Sequence, residues 1–185
     1  NNVKTMMGFQ LRFNPIINYL EKIIKKNSPI GKIFSVQIHH GEHIEDFHPY
    51  EDYRISYAAN KKLGGGVVLT QIHEIDYLMF LFKDYLIEKS NFISSKVSDL
   101  KINVEDTLCA NFILRKNKNL ILGSMFLNFF ERPKKRKMFI IGKNGSIDVC
   151  FNSQKLIIYK NGKKTIKRFK FSKNDIFLKE IKFFF

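Results

Sequence analysis

Apolar positions recur at helical spacing in two parts of the chain and alternate along most of the rest. Ile16, Ile17, Leu20, Ile23 and Ile24 lie three or four residues apart, with Glu21, Lys22, Lys25 and Lys26 between them. That is the stripe of an amphipathic helix. Asn14-Pro15 opens it, with Asn as cap and Pro at the first helical position, and Asn27-Ser28-Pro29 closes it. Ahead of this helix, Met6-Met7-Gly8-Phe9 predicts a short strand. Ile33 to His40 alternates, with Phe34, Val36 and Ile38 on one face and Ser35, Gln37 and His39 on the other, the mark of a half-buried strand. Residues 41–63 read as loop and short helix. Gly64, Gly65 and Gly66 interrupt them, and the spacing of Ile72, Ile75, Leu78, Met79 and Phe82 predicts a helix from about Thr70 to Phe82.

From Phe92 onward the pattern is strand after strand: 92–97, 106–114, 120–130, 137–141, 146–150, 155–159 and 165–171. Lys116-Asn117-Lys118-Asn119, Asn144-Gly145, Asn152-Ser153 and Asn161-Gly162 separate them as turns, and the Asn-Gly pairs suit tight hairpins because both residues tolerate positive φ. A last helical pattern starts near Asn174-Asp175. The sum predicts an α+β fold, a large, mainly antiparallel open β-sheet with helices packed on one face. One domain is expected to span residues 1–185. Asn1 without an initiator Met and the apolar Phe183-Phe184-Phe185 suggest a chain truncated at both ends.

Composition narrows the function classes. The longest apolar-looking run, Leu120 to Phe130, is broken by Gly123, Ser124 and Asn128 and falls short of the ~20 residues of a membrane helix. No membrane partner is expected. Cys109 and Cys150 suggest neither a disulfide framework nor a redox pair, and with no leader pattern the expected location is cytoplasmic. A net charge of +15 points toward nucleic acid, but Lys carries most of it and Arg occurs only six times. Readers of bases and phosphates lean on the Arg fork, so specific nucleic-acid binding is not expected.

Four segments hold candidate chemistry. The glycine triplet leads into His73, where glycine freedom and a helix start offer backbone N–H groups to a ligand. Neither Gly-x-Gly-x-x-Gly nor a Gly-Lys-Ser/Thr pattern is present, and a plain turn before a core histidine is the other reading. The segment His39 to His48 resembles a zinc site in composition, but adjacent residues of a strand face opposite ways, so no metal is expected. Glu131 to Lys137 holds five basic residues in six and reads either as a nucleic-acid patch or as a solvated turn between strands. Glu51-Asp52-Tyr53-Arg54 suits sugar recognition or, equally, a short exposed helix with internal ion pairs.

Taken in order, Gly8 to Pro15, Phe47 to Arg54, Leu63 to Leu78, Val104 to Thr107 and Ile141 to Ile147 resemble the C-terminal domain of the Gfo/Idh/MocA oxidoreductases, the glucose–fructose oxidoreductase and inositol dehydrogenase group. The resemblance implies an enzyme whose N-terminal Rossmann domain, absent from this chain, holds NAD or NADP, with no cofactor expected on this chain alone. It implies a sugar, nucleotide-sugar or polyol substrate and a homo-oligomer formed through the sheet face. His73 matches the catalytic histidine, while Gln10, Arg12, Tyr53, Arg54 and Thr70 are implied substrate contacts. Many members carry an Asp four residues before that histidine, where Leu69 and Thr70 stand here. The alternatives are a non-enzymatic basic binding module built on residues 132–137 and a stand-alone scaffold that reuses the sheet face.

Overall fold

A computed structural model describes residues 3–185; Asn1 and Asn2, which entered the expectation of a truncated start, lie outside the described residues. Helix α1, Pro15–Asn27, starts where the cap signal places it, and the Asn14 side chain accepts the Ile16 N–H at 2.8 Å. The stripe delivers Ile16, Ile17 and Leu20 to the core with no exposed surface, each worth about 1.5–3 kcal/mol in burial. The expected strand at Met6 to Phe9 is not formed. Local bonds (Phe9 N–H to Met7, Arg12 N–H to Phe9, Asn14 N–H to Leu11) use up its backbone, and a 3-10 turn occupies Gln10–Phe13. Satisfied locally, the segment offers little to a strand edge.

Strand β1, Ile33–Gly41, buries Val36, Ile38 and His40, but Phe34 is exposed. A register shift between Ile33 and Ser35 in the pairing with a later strand breaks the alternation there and turns Ile33 inward instead. The single helix expected at 70–82 is two: α2, Val67–Thr70, and α3, His73–Leu81. At the break the Gln71 side chain turns inward and donates to the Asn128 carbonyl at 3.1 Å. That bond anchors the helix pair to the sheet and sets His73 on the first turn of α3.

The remaining strands are β2 (Leu86–Ser95), β3 (Thr107–Lys116), β4 (Asn119–Asn128), β5 (Lys135–Gly142), β6 (Gly145–Cys150), β7 (Lys155–Lys160) and β8 (Lys163–Arg168), followed by α4 (Lys173–Phe184). The first of them begins six residues earlier than the pattern predicted. The eight strands form one sheet in the order β2-β3-β4-β1-β5-β6-β7-β8, antiparallel except for β1 beside β4. Asn161-Gly162 makes the β7–β8 turn with φ of 48° and 74°, the conformation the pair was expected to supply. Ser172 and Asp175 cap α4 reciprocally.

Val36, Leu114, Ile121, Met125, Leu127, Met138, Ile140, Ile147, Val149 and Leu156 line the helix-covered face of the sheet. Phe112 lies over Gly123 of the neighbouring strand so closely that a methyl there would sit 1.9 Å from its ring. Leu122, Ile141 and Ile166 point the other way, onto a face that no described element of the chain covers. Among the described residues no helix is long and apolar enough to cross a membrane.

Candidate active site

The glycine turn positions the site without binding anything through its backbone. Gly65 N–H donates to Asn60, Gly66 N–H to Ala58, and Val67 and Val68 N–H to the Glu105 carbonyl and carboxylate. Residue 66 holds φ +106°, and a Cβ there would meet the Glu105 carboxylate at 2.2 Å, so only glycine lets the carboxylate cap α2. The expected row of free N–H groups is therefore corrected at residues 65–68, whose donors are taken within the chain. Asp106, next in sequence, is buried and accepts from Val97, Ser98 N–H and Ser98 Oγ. The Val104 to Thr107 motif is thus a brace.

His73 lies half-buried at the start of α3. The Gln10 side-chain nitrogen sits 3.2 Å from its Nε2, and Phe9 meets the imidazole edge-on. The Gln10 amide N–H donates to Nε2 when the ring carries its proton on Nδ1, and in the other tautomer Nε2 is itself the donor. Its Nδ1 is buried without a hydrogen-bond partner. Burial lowers the imidazole pKa below its ordinary value of 6.5; Arg136 and His40 push the same way, while Glu74 and Asp76 oppose. The group stands as a neutral base at pH 7.

Arg12 reaches the same place from the 3-10 turn. Its Nε lies 3.0–3.1 Å from both Asp76 oxygens and its Nη2 2.5 Å from one, while the guanidinium packs over Phe9 and Phe80. Asp76 falls one helical turn after His73 on α3, so one helix carries both the histidine and the carboxylate that orients Arg12. Nη1 makes no hydrogen bond among the described residues.

The other predicted contacts sit apart. Tyr53 accepts the Lys101 N–H at 3.2 Å. Arg54 grips both oxygens of Asp52 at 2.8 Å from Nε and is over half exposed. The Arg54–Asp52 pair is internal to the segment, as the second reading of it has, whereas Tyr53 is tied to a distant loop. Thr70 closes α2 with its Oγ1 buried and unpartnered. His39 and His40 do face opposite ways. His39 pairs with Glu131 at 2.5 Å, whereas His40 turns inward to Glu74, and no three metal-binding side chains converge among the described residues.

Sequence reading missed a buried ion pair. Glu74 has no exposed surface, yet Arg136 Nε approaches its Oε1 at 2.6 Å and His40 Nδ1 at 3.1 Å. Burial pushes this carboxyl up, and Arg136 and His40 more than offset that, holding it below the usual range. The signal was a charge on the inward face of an apolar helix four residues before Leu78. Three more members of the basic run are paired: Arg132 with Glu45 and Asp46, Lys134 with Glu42, and Lys135 with Glu131.

No protein-family model matches the chain, and no curated protein matches its sequence. Its fold does match solved structures. A levoglucosan dehydrogenase in complex with NADH and levoglucosan superposes with a TM-score of 0.79 at 16% identity, covering 100% of this chain and 56% of that one. Gal80p of Saccharomyces cerevisiae, as a super-repressor mutant, gives 0.73 at 18%, covering 97% and 50%. An inositol dehydrogenase homolog complexed with NAD+ from Azotobacter vinelandii gives 0.70 at 12%, covering 87% and 42%. The chain spans about half the length of each, and what it shares with these dehydrogenases and this repressor is the fold of that half.

Proposed function

We propose that this chain is the substrate-side domain of an NAD(P)-dependent oxidoreductase of the Gfo/Idh/MocA type, acting on a sugar-type or polyol hydroxyl. The observation that carries the proposal is the meeting of Gln10, Arg12 and Asp76 around a neutral His73. A hydroxyl arriving at Nε2 replaces the Gln10 amide and gives its proton to the imidazole. Gln10 and the free Nη1 of Arg12 then donate to neighbouring oxygens of the substrate, as recognition of a polyhydroxyl compound requires. The nicotinamide, when bound by a nucleotide-binding domain, supplies the hydride acceptor; the glycine turn of this chain does not hold it. Tyr53 and Arg54 are assigned to the rim, where a longer substrate extends, and the enclosed Thr70 hydroxyl is assigned no substrate contact.

The exposed Phe183 of α4 packs against Phe13 of the 3-10 turn, and we assign the nucleotide-binding domain to that side. The bare sheet face is assigned to a second copy of the chain. A repressor-like partner role is the second reading, favoured by the likeness to Gal80p; it needs the fold but not the base. The two readings separate in a protein that joins this chain to a nicotinamide-binding domain. There H73N is expected to lower kcat by ~10²–10⁴ with cofactor binding unchanged. A rate left intact contradicts the proposal.

A further inference from the structure

The two edges of the sheet are built differently. At one end lies β8, Lys163-Lys164-Thr165-Ile166-Lys167-Arg168. Residues opposed in an antiparallel pair share a face, so a two-fold axis between two copies of a strand passes through a residue. Laid on itself in this way, β8 opposes like charges in every register. An axis at Thr165 sets Lys163 against Lys167, one at Ile166 sets Lys164 against Arg168, and one at any other position sets a cation against its own copy. Such an edge repels a second strand.

At the other end lies β2, which pairs with β3 alone and is exposed along its whole length. From Lys89 to Ser95 it holds one charge, no proline and no glycine, the composition of a segment prone to pairing. Phe92 and Ile93 lie on opposite faces and are 66% and 71% exposed. Nothing on this edge guards it as the cations guard β8.

We propose that the β2 edge is an interface between two copies of the chain, β2 lying antiparallel on β2 about a two-fold axis at Phe92. That register sets Phe92 against its own copy, Ile93 against Asn91, Ser94 against Ser90 and Lys89 against Ser95. It opposes no like charges, and it places an aromatic cross-strand pair at the centre. Moving the axis to Asn91 would set Ile93 against Lys89, and moving it to Ile93 would leave only residues 91–95 opposed within the strands. The main-chain groups on the outer side of β2 then find partners, and the two sheets run on as one. The contact is separate from the bare sheet face and does not depend on the chain being part of an oxidoreductase.

Disulfide trapping tests the contact and its register together. Cys109 lies opposite Ile93 on β3, so the work is done in a C109S/C150S chain, which keeps no native thiol. There F92C is expected to give a linked dimer on mild oxidation, because opposed residues bring their Cβ atoms to about 4.5–5.5 Å. I93C is expected to give about a tenth as much or less, since its copy lies diagonally, roughly 7–8 Å away. The F92C link should persist in L122K, which charges the bare face. An F92C chain that stays unlinked overturns the proposal, and is the result expected if the edge instead takes a foreign extended peptide. Equal trapping at 92 and 93, or a link lost in L122K, overturns it too. Amide exchange gives a reading without cysteines. When the native chain is concentrated enough to sediment as a dimer or larger, every amide from 89 to 95 should exchange at least about tenfold more slowly than in F92K, which opposes two lysines at the axis. Alternate amides that exchange as fast as in F92K, as those of a free edge do, overturn the proposal.

Discussion

Arg132 and Arg136 stand four residues apart in one basic run, and both end on carboxylates, yet they inhabit different physics. Arg132 lies at the surface between Glu45 and Asp46, about half exposed like both partners. Arg136 runs along β5 into the interior and meets Glu74, whose side chain is wholly enclosed. The first pair is a solvated contact whose Coulomb gain water screens. The second has shed its water and depends on its partners for any stability at all. Strand alternation makes the difference: residue 136 faces the helices, and the loop around Pro133 leaves residue 132 outside. A run of like charges in sequence therefore says little until each member is assigned a face.

The sharpest way to break this contrast is to remove one partner from each pair. E74A leaves Arg136 buried and uncompensated and is expected to cost about 3–5 kcal/mol in urea unfolding. R132A should leave the midpoint of the same transition unmoved. Equal effects would end the distinction.

Acid offers the next largest effect. Glu74, Glu42 and Glu131 all titrate below the ordinary 4.5, each raised by burial and lowered further by its cationic partners, with Glu131 held at about 2. Carboxyls depressed in the folded state contribute stability that is complete above the unfolded value and fades as pH falls through the folded one. Unfolding followed by circular dichroism should therefore show stability flat from neutral pH down to about 5 and falling between there and about 2. In E74Q that fall should be shallower.

R136K keeps the charge but loses the planar fork, and an expected loss of about 1–2 kcal/mol separates hydrogen-bond geometry from charge. Smallest is the response to salt. Raising ionic strength to about 1 M, where the screening length is ~3 Å, should erase any contribution of the Arg132 contacts and leave the E74A deficit in place.

Much of this was legible in the sequence, and the reasons differ by element. Helix α1 and the hairpins were plain because cap, stripe and turn chemistry all agreed, as at Asn14-Pro15 and Asn161-Gly162. The strand expected at Met6 to Phe9 failed because apolar residues alone do not supply a neighbouring edge, and β2 was placed late because an edge strand exposed along its whole length has no alternation to read. Within the site, His73, Gln10 and Arg12 were found through their resemblance to a family, and the structure draws them together. Asp76 and Glu74 escaped notice because acidic residues near a helix start look like ordinary dipole partners. Only the packing of the 3-10 turn against α3 shows that Asp76 orients Arg12, and only the crossing of α3 with β1 and β5 shows that Glu74 is buried. Tyr53 and Arg54 illustrate the converse, since side chains suited to sugar recognition are here held by Lys101 and Asp52.

The central claim is that the surface around His73 receives a polyhydroxyl substrate. It is tested most directly by titrating the labelled chain with levoglucosan, myo-inositol and simple pyranoses while watching the His73 Cε1–H and Gln10 side-chain amide resonances. The account predicts saturable shifts at both for at least one of these compounds, lost in R12A, with His43 and His48 unmoved. Resonances of His73 and Gln10 that stay in place across the whole series would contradict it.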